Sequence, residues 1–278
     1  MIIDPPVCFL MDNGSLRPES TFSLRRIASA VSAKMGFVVE AVSLLHSNRI
    51  AQDLLEGHPA ETLVPALKKR LKMGYNDFIV LPLFFGPSAA FTDYLPKRVS
   101  ALKTSWPNLT VRIAPCLVNV LNSVDTRMAD ILADLVKLKI TKLRLQRPAV
   151  ILVDHGTPTP GVNAVRNFVA TQLSTVLGDE VRCVRAASME RRPGEAFDFN
   201  EPLLENLLGT DGFASGDIVL AMLFLSPGRH ASSNGDVAQI CAKAIEKFPR
   251  LKVHMTDLVS CHPGLIDILV ERLKGELH

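Results

Sequence analysis

A chain of 278 residues with 47% hydrophobic content is long enough for two domains with buried cores, which excludes a disordered or fibrous protein. A net charge of only +3, with apolar runs as short as Phe78–Phe85 and Ile218–Leu225, gives no reason to expect a nucleic-acid or membrane partner. Five cysteines (Cys8, Cys116, Cys183, Cys241 and Cys261) without a CxxC pair, behind a start that lacks signal-peptide features, predict buried, reduced thiols in a cytoplasmic protein.

Taken in chain order, the first apolar run, "VCFLMD", stops at Asp12-Asn13-Gly14-Ser15. Phe22, Ile27, Val31 and Met35 then recur about every four residues before Gly36, the pattern of an amphipathic helix closed by glycine. Further strands are expected in "FVVEAVSLL", "IVLPLFF" and "LTVRI", separated by helices. After "KLRLQRP" (Lys142–Pro148) the order starts again. "VILVD" stops at Asp154-His155-Gly156-Thr157, and Val162, Val165, Val169, Leu173 and Val176 precede Gly178. "EVRCVRAASM", "IVLAMLFL" and "LKVHM" supply the remaining strands. Asn13 and His155 are 142 positions apart, as are Pro107 and Pro249, while Pro87 and Pro227 are 140 apart. The chain therefore reads as two copies of one unit, residues 1–143 and 144–278. Apolar strands alternating with helices indicate, in each copy, a four-stranded parallel sheet with helices on both faces.

Functional crevices of open parallel sheets lie beyond the carboxyl ends of the strands. By that rule three polar residues of the second copy gather on one rim: His155 after its first strand, Glu190 after its second and His230 after its third. Two imidazoles and a carboxylate suit a divalent transition metal such as Co, Ni, Fe or Zn, and equally suit proton removal near neutral pH. Arg191, Arg192 and Arg229 flank them and are candidates for binding carboxylates of an acidic ligand; Gly156 and Gly228 would allow a flat ligand close to the backbone. His46 stands at the position equivalent to Glu190 in the first copy. His262 is expected to cap or pack the last helix, and neither His254, within a strand, nor His58, opening a helix, is expected to be catalytic.

"VILVDHGTP" and "LFLSPGRH" resemble the two motifs of the class II chelatases of the CbiX/SirB type, which insert cobalt or iron into sirohydrochlorin without a nucleotide. The likeness covers nearly the whole chain as two tandem copies, the arrangement of the family's long form. It implies an α/β fold of two chelatase-like domains, with His155 and His230 holding the metal and assisting pyrrole deprotonation. It further implies that Glu190 completes the coordination or relays protons, and that Arg191, Arg192 and Arg229 meet the carboxylates of a tetrapyrrole. Co2+ or Fe2+ would be the metal substrate, with Ni2+ a further candidate, in cobalamin or siroheme biosynthesis; the chain would act as a monomer or weak homodimer. No phosphate-binding glycine loop is present, in keeping with a nucleotide-independent reaction. The departure from the family pattern lies in the first copy. Asn13 and Ala90 replace both histidines there, whereas long forms keep the pair in that copy. The first copy would then serve as the opposite wall of the cleft. A metal- or tetrapyrrole-delivery protein of the same fold is the competing reading, and a phosphate-transferring enzyme using His155 is a weaker one, since no arginine precedes that histidine.

Overall fold

The computed structural model describes residues 6–277. It holds two four-stranded sheets, every pairing parallel, so the chain is a tandem α/β protein. In the first repeat β1 (Val7–Asp12), α1 (Pro18–Met35), β2 (Val39–Ser43), α2 (Leu63–Lys72), β3 (Asp77–Pro82), α3 (Leu95–Lys103) and β4 (Thr110–Ile113) are followed by α4 (Arg127–Leu143). The second repeat runs β5 (Ala149–Asp154), α5 (Pro160–Leu177), β6 (Cys183–Ser188), α6 (Leu204–Leu207), β7 (Gly216–Met222), α7 (Asp236–Lys247), β8 (Leu251–Met255) and α8 (Gly264–Lys274). The sheet orders are β2-β1-β3-β4 and β6-β5-β7-β8. In both sheets the first and third strands of the repeat are neighbours, so the loops that follow them start side by side.

Local chemistry explains the elements. Proline at the first helical position, Pro18 and Pro160, costs no hydrogen bond there, and Gly36 closes α1 in the left-handed conformation. Central strands are apolar on both faces. Ala149, Ile151 and Val153 of β5 join a core with Leu204, Leu207, Val237, Cys241 and Ala244, the side of α6 and α7. The intervening Val150 and Leu152 are equally buried, and α5 packs on β5 and β6. Phe9, Met11, Phe78 and Val80 join Leu63, Leu67, Leu95 and Leu102 in the same manner in the first sheet.

The compact units do not follow the sequence repeats. One unit comprises residues 1–118 and 266–278, the other residues 119–265. The expected division at 143/144 is that of the sequence repeats, and packing groups the helices differently: α4 packs on α5 and β7 within the second unit, while nearly all of α8 belongs to the first. Arg272 of α8 donates from Nε to the Cys116 carbonyl at 3.3 Å within that first unit. An amphipathic stripe fixes that a helix face is buried, not which sheet it covers.

All five cysteines are free thiols, but burial is complete only for Cys8 and Cys241: Cys116 and Cys183 are half-buried and Cys261 is exposed. Among the described residues no helix is long and apolar enough to cross a membrane.

Candidate active site

The turn after β5 is built by its own side chains. Asp154, nearly buried, accepts from the Gly156 N–H at 3.1 Å and from the Ser188 hydroxyl at 2.6 Å. Burial pushes the Asp154 carboxyl above its ordinary range; the Ser188 hydrogen bond, the Arg166 charge and the Gly156 N–H oppose that rise. Gly156 has φ +89°, and a Cβ there would sit 1.8 Å from the Glu190 carbonyl oxygen. The glycine therefore serves the approach of two backbone segments, where the sequence suggested room for a flat ligand. Glu190 donates its N–H to the His155 carbonyl at 3.2 Å across this contact.

His155 lies against both Glu190 and His230. His155 Nε2 is 3.3 Å from Glu190 Oε1, and the two imidazole rings meet edge to face with centroids 4.5 Å apart. Each ring has a second partner on its Nδ1: the Gly156 carbonyl at 3.0 Å for His155, and Asp236 Oδ2 at 2.6 Å for His230. With its proton on the Nδ1 that faces the Asp236 carboxylate, a neutral His230 ring keeps a lone pair on Nε2; His155 faces oxygen on both nitrogens, and with its proton on Nδ1 it too keeps a lone pair on Nε2. For His155 that lone pair faces the Glu190 carboxylate, a repulsive contact unless a proton or a metal cation lies between them. Among the described residues no three histidine, cysteine, aspartate or glutamate side chains are gathered tightly enough to enclose an ion. The set stays open: the His155 and Glu190 side chains are 47% and 59% exposed.

Asp236, at the start of α7, was not singled out from the sequence, although an acidic residue opening the helix after a histidine-bearing loop is a readable signal. Gly235 before it has a similar duty to Gly156, since a Cβ there would lie 2.6 Å from the His230 carbonyl oxygen.

The three arginines divide. Arg191 is committed within its own loop, with Nε 2.8 Å from Glu201 and Nη1 2.9 Å from Asp198 and 3.0 Å from the Gly194 carbonyl. These contacts tie Arg191 to the 191–201 connection. Arg192 lies over the Phe197 ring at 5.9 Å. Arg229 is 77% exposed, with its Nε 3.6 Å from Asp236 Oδ2.

The first repeat carries none of the three groups. Leu45 donates its N–H to the Asn13 carbonyl at 3.2 Å, the bond Glu190 makes to His155. Leu45, not His46, is therefore the counterpart of Glu190; Asp12 pairs in register with Ser43 as Asp154 does with Ser188. Asn13, Leu45 and Ala90, the last opening a π turn, replace His155, Glu190 and His230. The other histidines have local partners or lie elsewhere. His254 Nε2 is 2.8 Å from Asp217, and His262 Nδ1 accepts the Gly264 N–H at the start of α8. His58 lies between helices and opens none, since α2 begins at Leu63.

Residues 149–276 match the CbiX family model. The match covers the second repeat and follows the sequence duplication, α8 included, although the compact unit ends at Leu265. The chain matches no curated protein sequence at a significant level. Solved structures resemble it over nearly its whole length. "SirB from Bacillus subtilis with Fe3+" is 14% identical with TM-score 0.70, covering 98% of this chain and 96% of that one. The sirohydrochlorin chelatase SirB from Bacillus subtilis subspecies spizizenii in complex with cobalt is 12% identical with TM-score 0.69, covering 98% and 95%. A CbiX described as the terminal enzyme for biosynthesis of siroheme in denitrifying bacteria is 12% identical with TM-score 0.60, covering 98% and 100%. At these identities the likeness establishes the tandem chelatase fold. The repeat that matches the CbiX model is also the one that carries His155 and His230.

Proposed function

We propose that the protein inserts a divalent metal, Co2+ or Fe2+, into sirohydrochlorin or a related tetrapyrrole, without a nucleotide, at one site per chain. The observation that carries this reading is the contact of the His155 and His230 rings at 4.5 Å, on neighbouring strand ends of the repeat that matches CbiX. Structures of similar fold contain Fe3+ or cobalt, which supports the choice of metals.

Insertion requires the metal to shed its ligands and two pyrrole N–H protons to leave. His230, its Nδ1 proton held by Asp236, offers Nε2 as a metal donor of fixed direction. His155 offers Nε2 beside Glu190, so a cation there would relieve the contact between lone pair and carboxylate. A metal that must be handed on is better served by an open set of two imidazoles and a carboxylate than by a closed tetrahedral cage. Once the metal has moved to the ring nitrogens, the vacated imidazoles can take up the displaced protons. Free thiols throughout fit a reducing, cytoplasmic setting.

The test is anaerobic incubation with sirohydrochlorin and Co2+, Fe2+ or Ni2+ in the absence of ATP, followed by the tetrapyrrole absorption spectrum. Catalysed insertion of Co2+ or Fe2+ is expected, and rates equal to the protein-free control with both would reject the proposal. The second reading, a carrier of metal or tetrapyrrole, draws on the replacement of all three site residues in the first repeat by Asn13, Leu45 and Ala90. Stoichiometric binding without turnover would favour it.

A further inference from the structure

Arg166 is the largest fully buried side chain of the protein, 2% exposed, on α5 beneath the histidine-bearing turn. A guanidinium has five N–H donors, and each is matched here. Nε reaches Asn167 Oδ1 at 3.1 Å, Nη1 reaches Ser188 Oγ at 2.5 Å and the Asn200 carbonyl at 2.7 Å, and Nη2 reaches the Phe199 and Glu201 carbonyls at 3.4 Å. Ser188 passes its own hydrogen to Asp154 Oδ1, the atom that also accepts the Gly156 N–H next to His155. Asn200 meanwhile exchanges two hydrogen bonds with the Thr157 backbone, at 3.0 and 2.9 Å. One cation thus anchors both flanks of the His155–Thr157 turn and the far end of the connection that starts at Glu190.

The first repeat supplies the control. Pro18 and Gly36 bound α1 at the positions where Pro160 and Gly178 bound α5, so Leu24 stands where Arg166 stands; it too is 2% exposed. The same strand, turn and helix therefore form with leucine at this position. Burying a charge is costly, and replacing buried ionic groups by apolar ones of similar volume is often neutral or stabilising. A buried arginine only in the repeat that carries the histidines points to a purpose other than folding.

We propose that Arg166 is a positioning residue of the candidate active site: through Ser188–Asp154 and through the 199–201 backbone it fixes the orientation in which the turn presents His155 and keeps Glu190 beside it. The chelatase reading gives this role its purpose, but the positioning itself is a property of the unliganded chain. The test compares wild type, R166L and R166K as full chains, with H155A to assign the His155 imidazole signals by NMR. R166L, copying the first repeat, is expected to unfold cooperatively, to shift the His155 signals, and to weaken Co2+ binding by about tenfold; R166K is expected to recover part of both. Folded R166L with wild-type His155 signals and Co2+ affinity would overturn the proposal. Should R166L not fold, S188A, which cuts one of the two links, must displace the His155 signals, and unchanged signals there overturn it equally. If wild type fails to insert any metal, the chelatase reading falls while the NMR comparison still decides the role of Arg166.

Discussion

His230 donates from Nδ1 to Asp236 Oδ2 at 2.6 Å, and this short pair fixes which ring nitrogen is left to bind a metal. Removing the carboxylate in D236A frees the ring to change tautomer and orientation. Co2+ affinity is expected to drop about ten- to a hundredfold, with a smaller loss in D236N, whose amide oxygen can still accept. Titration of each folded variant with Co2+ checks this; equal affinities would remove Asp236 from the account.

Arg229 and Arg191 have different surroundings and should fail differently. R229A, at an exposed side chain near the histidines, is expected to raise KM for a polycarboxylate tetrapyrrole severalfold and to leave kcat unchanged. R191A breaks ties to Asp198 and Glu201, so its effect is expected in protease sensitivity of the 195–200 segment and in thermal stability. Steady-state kinetics beside limited proteolysis separates the two, and a KM effect confined to R191A would reverse the assignment.

Gly156 and Gly14 hold the same turn in the two repeats, with φ of +89° and +90°. An added Cβ would meet the Glu190 carbonyl oxygen at 1.8 Å or the Leu45 carbonyl oxygen at 1.7 Å. G156A and G14A should each cost about 1–3 kcal/mol or more in chemical denaturation. G156A should in addition impair metal binding, since its turn carries His155; G14A should not.

Asp12, half-buried at the end of β1, is the first repeat's counterpart of Asp154, and where α5 places Arg166, α1 places Leu24. Burial raises its pKa from 3.8 to about 6, against the Ser43 hydrogen bond and the Gly14 N–H. The folded state thus keeps a proton that the unfolded chain has lost, so the contribution is favourable at low pH and fades as pH rises from about 4 to 6. Above that window the charged form costs about 3 kcal/mol at 1.36 kcal/mol per unit. D12N should remove this dependence, so the stability gap between D12N and wild type widens from pH 4 to pH 7. Denaturation across that range reads it directly, and a constant gap would contradict it.

The parts of the fold legible in the sequence were those written in short periodic patterns. Apolar runs ending in Asp-X-Gly marked β1 and β5, and the duplication carried the rest of the strand order. The convergence of His155 and His230 followed from their being on first and third strands, which parallel crossover topology sets side by side. Less was legible where partner choice decides. The sheet that α4 or α8 covers is fixed by tertiary packing, and the commitment of Arg191 to Asp198 and Glu201 by the path of its loop. The counterpart of Glu190 depended on backbone register, which identifies Leu45 one residue before His46. The spacing of Arg166, four residues after Val162 and three before Val169, places it on the buried stripe of α5.

The central claim is that His155 and His230 together perform metal insertion in the second repeat. The most direct measurement is the nucleotide-free rate of Co2+ and Fe2+ insertion into sirohydrochlorin by wild type, H155A and H230A, each verified as folded. The account predicts catalysed insertion by wild type and at least about a tenfold loss in each single variant. Wild-type rates in both variants, or no catalysis by wild type with either metal, would contradict it.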